Sequence, residues 1–157
     1  MKIKINEAQE SDIPLILDLI YELAVYEHLE HQVVRDKESL YKALFIEKSA
    51  AAILLAYEGN IVGFALYFYN FSTFLLKKGL YLEDVFIKEA YRNLGIGKEV
   101  FRYLIKKAKE TNCGRIEWSC LNWNENSLKF YNKIGAKTQD EWTTLRLVAE
   151  DFDKFPY

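Results

Sequence analysis

The chain has 157 residues, half of them hydrophobic and 15% aromatic, with a net charge of −2 at neutral pH. That is enough for a domain with a sizeable core, and it excludes a disordered chain. A near-neutral balance without a long basic run argues against nucleic acid or an anionic membrane as the main partner. No apolar run approaches membrane-spanning length, and Met1 to Ile5 alternates without an apolar signal region, so a cytoplasmic protein is expected. Cys113 and Cys120 fit no CxxC or zinc spacing and read as reduced thiols. No repeat, low-complexity segment or linker interrupts residues 1–157, and a single domain is expected.

In chain order, Lys2 to Asn6 reads as a strand with Ile3 and Ile5 on one face. Ser11 or Asp12 caps a helix that accepts Pro14 in its first turn and ends near Tyr26-Glu27. Its apolar stripe is Ile13, Ile16, Leu17, Ile20, Leu23 and Ala24. A polar loop, Glu27 to Arg35, leads to a second helix capped by Asp36, with Leu40, Leu44 and Phe45 inward. Ala51 to Tyr57 is a strand, Glu58-Gly59-Asn60 a turn and Ile61 to Tyr69 the returning strand. Asn70 to Phe74 reads as an aromatic-rich connection, and Leu80 to Ile87 as the third strand of an antiparallel meander. A helix from about Gly95 to Glu110 carries Ile96, Val100, Leu104 and Ala108 at four-residue spacing. Arg115 to Leu121 is a strand, Asn124 to Ile134 a helix closed by Gly135, and Trp142 to Val148 a last strand. The order implies an α/β (α+β) fold: a mixed, mostly antiparallel sheet flanked by helices. Two strand–helix units at its centre set two strands parallel, with a cleft where their ends diverge.

The stretch from Leu80 to Gly97 carries the chemistry. A strand feeds a glycine-rich turn and a helix start, where unpaired N–H groups and the helix dipole favour an anion. Glu99 stands where a P-loop needs a hydroxyl residue, and Val100 where a dinucleotide fingerprint needs its third glycine. What remains is R-x-x-G-x-G, as Arg92-Asn93-Leu94-Gly95-Ile96-Gly97. This resembles the coenzyme A pyrophosphate loop of the GNAT acyltransferase superfamily. About thirty residues on, Asn124-x-x-Ser127-x-x-x-Tyr131-x-x-x-Gly135 is similar to the second GNAT motif, and the pair is more specific than either part. Glu22 to Glu27, Val62 to Ala65 and Tyr81 to Asp84 resemble the spermidine/spermine N-acetyltransferase branch and its bacterial relatives.

The resemblance implies the GNAT fold and an acetyl-CoA-dependent N-acetyltransferase acting on a polyamine, diamine or lysine-like amine, with a homodimer as the assembly. It implies that the backbone of Val85, Phe86 and Ile87 holds the thioester and pantetheine, and that Arg92 to Lys98 hold the pyrophosphate. Asn124 and Ser127 then fall at the start of the cofactor-contacting helix. Tyr131 stands near the cofactor sulfur. Tyr26, Glu27, Glu83 and the strand Glu117-Trp118-Ser119 correspond to amine-site positions. Glu117 departs from the residue type of the polyamine enzymes, and Asp140 to Leu145 look more like the bacterial relatives. A peptide N-acetyltransferase and a non-catalytic coenzyme A-binding module are the alternatives.

The chemistry follows from the acceptor. Alkyl amines are protonated at neutral pH, so the site must remove a proton, stabilise an oxyanion and protonate a thiolate. A strand N–H near Val85 suits the second task and Tyr131 the third, although Tyr131 also belongs to an apolar stripe with Leu128 and Ile134. Glu83 suits the ammonium or its proton, while Glu27, Glu30 and Glu141 add negative potential. His28 and His31 lack a third-ligand motif and read as loop histidines, and Cys120 lacks a base partner and reads as a buried thiol rather than a nucleophile.

Overall fold

The computed structural model describes residues 2–155. The chain divides into two compact units, Met1–Ser119 and Cys120–Tyr157. In the first unit, β1 (Ile3–Glu7), β2 (Ala51–Tyr57), β3 (Asn60–Ser72), β4 (Lys77–Ile87) and β5 (Arg115–Trp118) form one sheet in sequential order. The first three pairings are antiparallel and β4–β5 is parallel, which is the mixed sheet expected.

Helix α1 (Ile13–Glu27) covers one face. Ile13, Ile16, Leu17, Leu19 and Leu23 pack on Ala52, Leu54, Phe64 and Phe86, and Leu44 completes that cluster. Ile20 of the expected stripe is only half-buried, and Leu19 takes the deeper place. Asp12 does not cap α1 with its side chain. It accepts instead from the Gln9 N–H at 2.8 Å, closing a preceding one-turn helix, Glu10–Asp12. Asp36 does cap α2 (Lys37–Tyr41), accepting from Glu38 N–H at 3.0 Å. A wider turn, Lys42–Ile46, continues it. The loop before α2 contains a single turn at Glu30–Gln32.

Helix α3 (Ile96–Glu110) covers the other face with Ile96, Val100, Phe101, Leu104 and Ala108. Beneath it lie Ile53, Leu55, Leu80 and Leu82, all almost wholly buried. Glu7 ties its own strand to α3, accepting from Tyr103 Oη at 2.9 Å and from Lys107 Nζ at 2.8 Å.

Two strand boundaries differ from expectation for one reason. Asn70 to Ser72 continue β3 and Lys77 to Gly79 begin β4, because ladder pairing holds Asn70 against Gly79 and Ser72 against Lys77. Alternation in hydropathy had marked only the inner part of this hairpin. β5 ends at Trp118 rather than Leu121, since its ladder with β4 stops at Leu82.

In the second unit, α4 (Glu125–Lys133) starts at Asn124, whose side chain accepts from Ser127 N–H at 3.2 Å. The strand expected at Trp142 to Val148 does not form: that segment has no regular structure, and Trp142 and Leu145 are largely exposed. A strand exists only against a paired neighbour, and among the described residues this unit contains no other strand.

Candidate functional site

Strand β4 carries the site because it outruns its neighbour. β5 pairs with Gly79 to Leu82 and then stops, while β4 continues to Ile87. From Glu83 onward the outer edge of β4 is open within this unit. The parallel pair expected from the chain order is present, and its ladder ends at Leu82 opposite Trp118.

Which groups face that edge follows from the ladder. Lys88 N–H donates to Val62 O at 2.8 Å, and the Phe86 carbonyl lies against Gly63. Backbone groups alternate sides along a strand, so Phe86 serves the β3 ladder while Val85 and Ile87 turn outward. The Ile87 carbonyl accepts from Arg92 Nε at 3.0 Å, and the Phe86 side chain is buried under α1. Of the three residues expected to hold the thioester, Val85 and Ile87 therefore present backbone N–H groups to that edge, and only Ile87 has its carbonyl taken, by Arg92; Val85 lies nearer the carboxylates.

A bulge sits just before. The register passes from Leu66 opposite Asp84 to Tyr67 opposite Leu82, leaving Glu83 as the extra residue. Glu83 is exposed, and Asp84 points to the α1 face, two residues from Phe86. Tyr26 and Glu27 arrive at the same place from the last turn of α1, which ends at left-handed His28. Burial, then the nearby charges of Glu83 and Glu27, push the Asp84 carboxyl up to about 6, and burial also raises Glu27. Asp84 closes the Tyr81 to Asp84 stretch of the resemblance but was not among the expected site residues; its place after a strand-end glutamate gave no sign that a bulge would turn it inward.

The sign of the Asp84 effect is direct. Its folded value lies above its ordinary 3.8, so the folded chain keeps this proton longer than the unfolded chain. Stability from this group is greatest below about pH 4 and falls as pH rises through 6. Asp84→Asn is therefore expected to stabilise the protein by about 2 kcal/mol at pH 7.5 and hardly at all at pH 3.5, as read from urea midpoints at the two pH values.

After β4, a turn at Glu89–Tyr91 delivers the chain to the glycine loop. Gly95 holds φ +86°, a left-handed conformation that side chains disfavour, and starts α3. The N–H groups of Lys98 and Glu99 fold back on the Gly95 carbonyl. Those of Asn93, Leu94, Gly95, Ile96 and Gly97 find no backbone or side-chain acceptor among the described residues. Arg92 is fixed by the Ile87 carbonyl and by the Tyr26 ring, 4.3 Å from its guanidinium carbon. Lys98 is exposed on the first turn, and Lys88 pairs with Glu22 of α1 at 3.0 Å. The arrangement presents N–H groups and positive charge to an anion.

Along β5, Trp118 packs on Phe101 of α3 at 4.8 Å. Glu117 and Ser119 therefore face the other way, and the Ser119 hydroxyl is 2.9 Å from that of Tyr81. The structure thus separates Trp118 from the two residues grouped with it. On α4, Asn124 and Ser127 meet in the helix cap, and half-buried Tyr131 has its ring 5.6 Å from that of Phe130.

Comparison with known proteins places this geometry. The sequence profile of the Acetyltransferase (GNAT) family matches residues 16–136. Thialysine N-epsilon-acetyltransferase of Bos taurus is 32% identical, over 94% of each chain. L-ornithine N5-acetyltransferase of Arabidopsis thaliana is 28% identical, over 94% of this chain and 85% of its own. An integron cassette protein from the mobile metagenome of V. cholerae shares the fold, with a TM-score of 0.80, 23% identity and coverage of 98% of this chain and 97% of that one. A family profile that matches most of the sequence, and a relative 32% identical along nearly the whole of both chains, identify the chain as a member of the GNAT family of acetyltransferases.

Proposed function

We propose that the chain moves the acetyl group of acetyl-CoA to a primary amine of a small cationic acceptor, a polyamine, diamine or lysine-like amine, by direct attack in a ternary complex. The observation that carries the reading is the β4 edge at Val85, unpaired within its own unit, beside the carboxylates Glu27, Glu83 and Asp84. The glycine loop fits a pyrophosphate, through the N–H groups of 93–97 and the charges of Arg92 and Lys98. Bound there, acetyl-CoA supplies an activated acetyl thioester.

The remaining tasks fall to the chain. Val85 N–H donates to the oxygen that gains negative charge. Glu83 and Glu27 draw in the ammonium form, and Asp84, deprotonated above about pH 6, accepts its proton directly or through water, leaving the neutral amine to attack. Asp84→Asn is accordingly expected to lower kcat/KM and to remove the acid limb near pH 6 while stabilising the fold. Asn124 and Ser127 fix the start of α4 for the cofactor, and Tyr131 on that helix protonates the departing thiolate. The family match crosses the junction at Ser119–Cys120, which supports the two units working as one acetyltransferase domain. A homodimer is the assembly that the family resemblance supports. The names of the thialysine and ornithine acetyltransferases support an amine on a short carbon chain as acceptor.

Thiol release from acetyl-CoA, measured with spermidine, putrescine, thialysine, lysine, ornithine and a short peptide, tests this. Turnover is expected on at least one small cationic amine. Turnover on the peptide alone, or binding of acetyl-CoA without turnover on any amine, contradicts it.

A further inference from the structure

Behind the reactive end, the same sheet face carries a pair of opposite charges. Arg115 Nε stands 2.8 Å from Glu117 Oε1, and both side chains keep more than a third of their surface exposed (39% and 38%). Because Trp118 turns to α3, Arg115, Glu117 and Ser119 share the opposite face. Tyr81 joins them there through its hydrogen bond to Ser119, and its ring packs on Phe68 at 5.1 Å. Asp84 lies on that face further along β4. The strip therefore runs from an ion pair, over an aromatic pair, to the carboxylates beside Val85. Glu117 is opposite Tyr81, four residues before Val85 and hence about 13 Å behind it at roughly 3.3 Å per residue.

One end of a diamine bears only positive charge, and Arg115 opposes it. An α-amino acid head bears a carboxylate and an ammonium side by side. A single Nε–Oε1 contact leaves further guanidinium N–H groups and carboxylate lone pairs to bind both.

We infer that Arg115 and Glu117 read the α-carboxylate and α-ammonium of a basic amino acid, so that the acceptor is of the lysine or ornithine type and presents its side-chain amine at Val85. This rests on the acetyl-transfer reading above and selects within its acceptors.

The test compares lysine with cadaverine and ornithine with putrescine, pairs that differ only in the α-carboxylate. The wild-type protein is expected to favour the amino acid of at least one pair about tenfold or more in kcat/KM, mainly through KM. Arg115→Gln is expected to shrink that preference by about tenfold, and Arg115→Lys to keep part of it. Equal or better use of the diamine by the wild type, or a preference unchanged in Arg115→Gln, overturns the inference. Turnover of diamines alone, or no thiol release with any of the four, overturns this inference; the acetyl-transfer reading falls as well only when spermidine and thialysine also give no thiol release.

Discussion

Tyr131→Phe is expected to lower kcat by about a hundredfold or more while KM for acetyl-CoA stays within about twofold. The two side chains differ by one hydroxyl. Tyr131 is half-buried on α4 with its ring beside Phe130, and phenylalanine preserves that packing. What disappears is a proton donor. A thiolate leaving without one is a poorer leaving group, and general acids of this kind contribute about 10²- to 10⁴-fold. Because the thiolate develops only during reaction, the loss falls on turnover rather than on ground-state binding. Steady-state kinetics with acetyl-CoA varied at a saturating amine reads both constants. Unchanged kcat would remove Tyr131 from the mechanism and leave its role as packing.

Gly63→Ala is expected to cost about 3 kcal/mol and to lower the melting temperature by roughly 10 °C. A Cβ at this position would lie 2.1 Å from the Phe86 carbonyl oxygen and 3.1 Å from the Ile87 Cα. Both are backbone atoms of β4, so no side-chain rotation relieves the clash. Relief requires β3 and β4 to move apart where Phe64 is wholly buried and Phe86 nearly so. The same movement would shift Val85, one residue from Phe86, and activity should therefore fall further than the folded fraction does. Thermal melts and assays at a temperature where the variant remains folded separate the two effects. A variant as stable and as active as the wild type would mean that β4 is not held at this register.

Much of this was legible before the structure. The R-x-x-G-x-G loop, the strand before it and the helix after it lie in consecutive residues, so local pattern and chemistry coincide there. Asp36 was readable as a cap because capping depends on residue type and immediate neighbours. Asp84 was not readable, because its burial depends on a bulge set by long-range pairing between β3 and β4. Nor was the separation of Trp118 from Glu117 and Ser119, since the three are consecutive and only the position of α3 decides which face is which. The expectation of a strand at Trp142 to Val148 failed for a related reason. Its apolar residues suit a strand, but pairing is a property of two segments, and no partner stands in its own unit among the described residues.

The most direct measurement is the mass of both acceptor and protein after incubation of the full chain with acetyl-CoA and a small basic amine such as lysine or ornithine. The account predicts one acetyl group on the acceptor, attached through nitrogen, and no acetyl group held by the protein during turnover. Acetylation that stops on the protein, at Cys120 for instance, or an unmodified acceptor across the whole set of small amines, would contradict direct transfer from the β4 cleft.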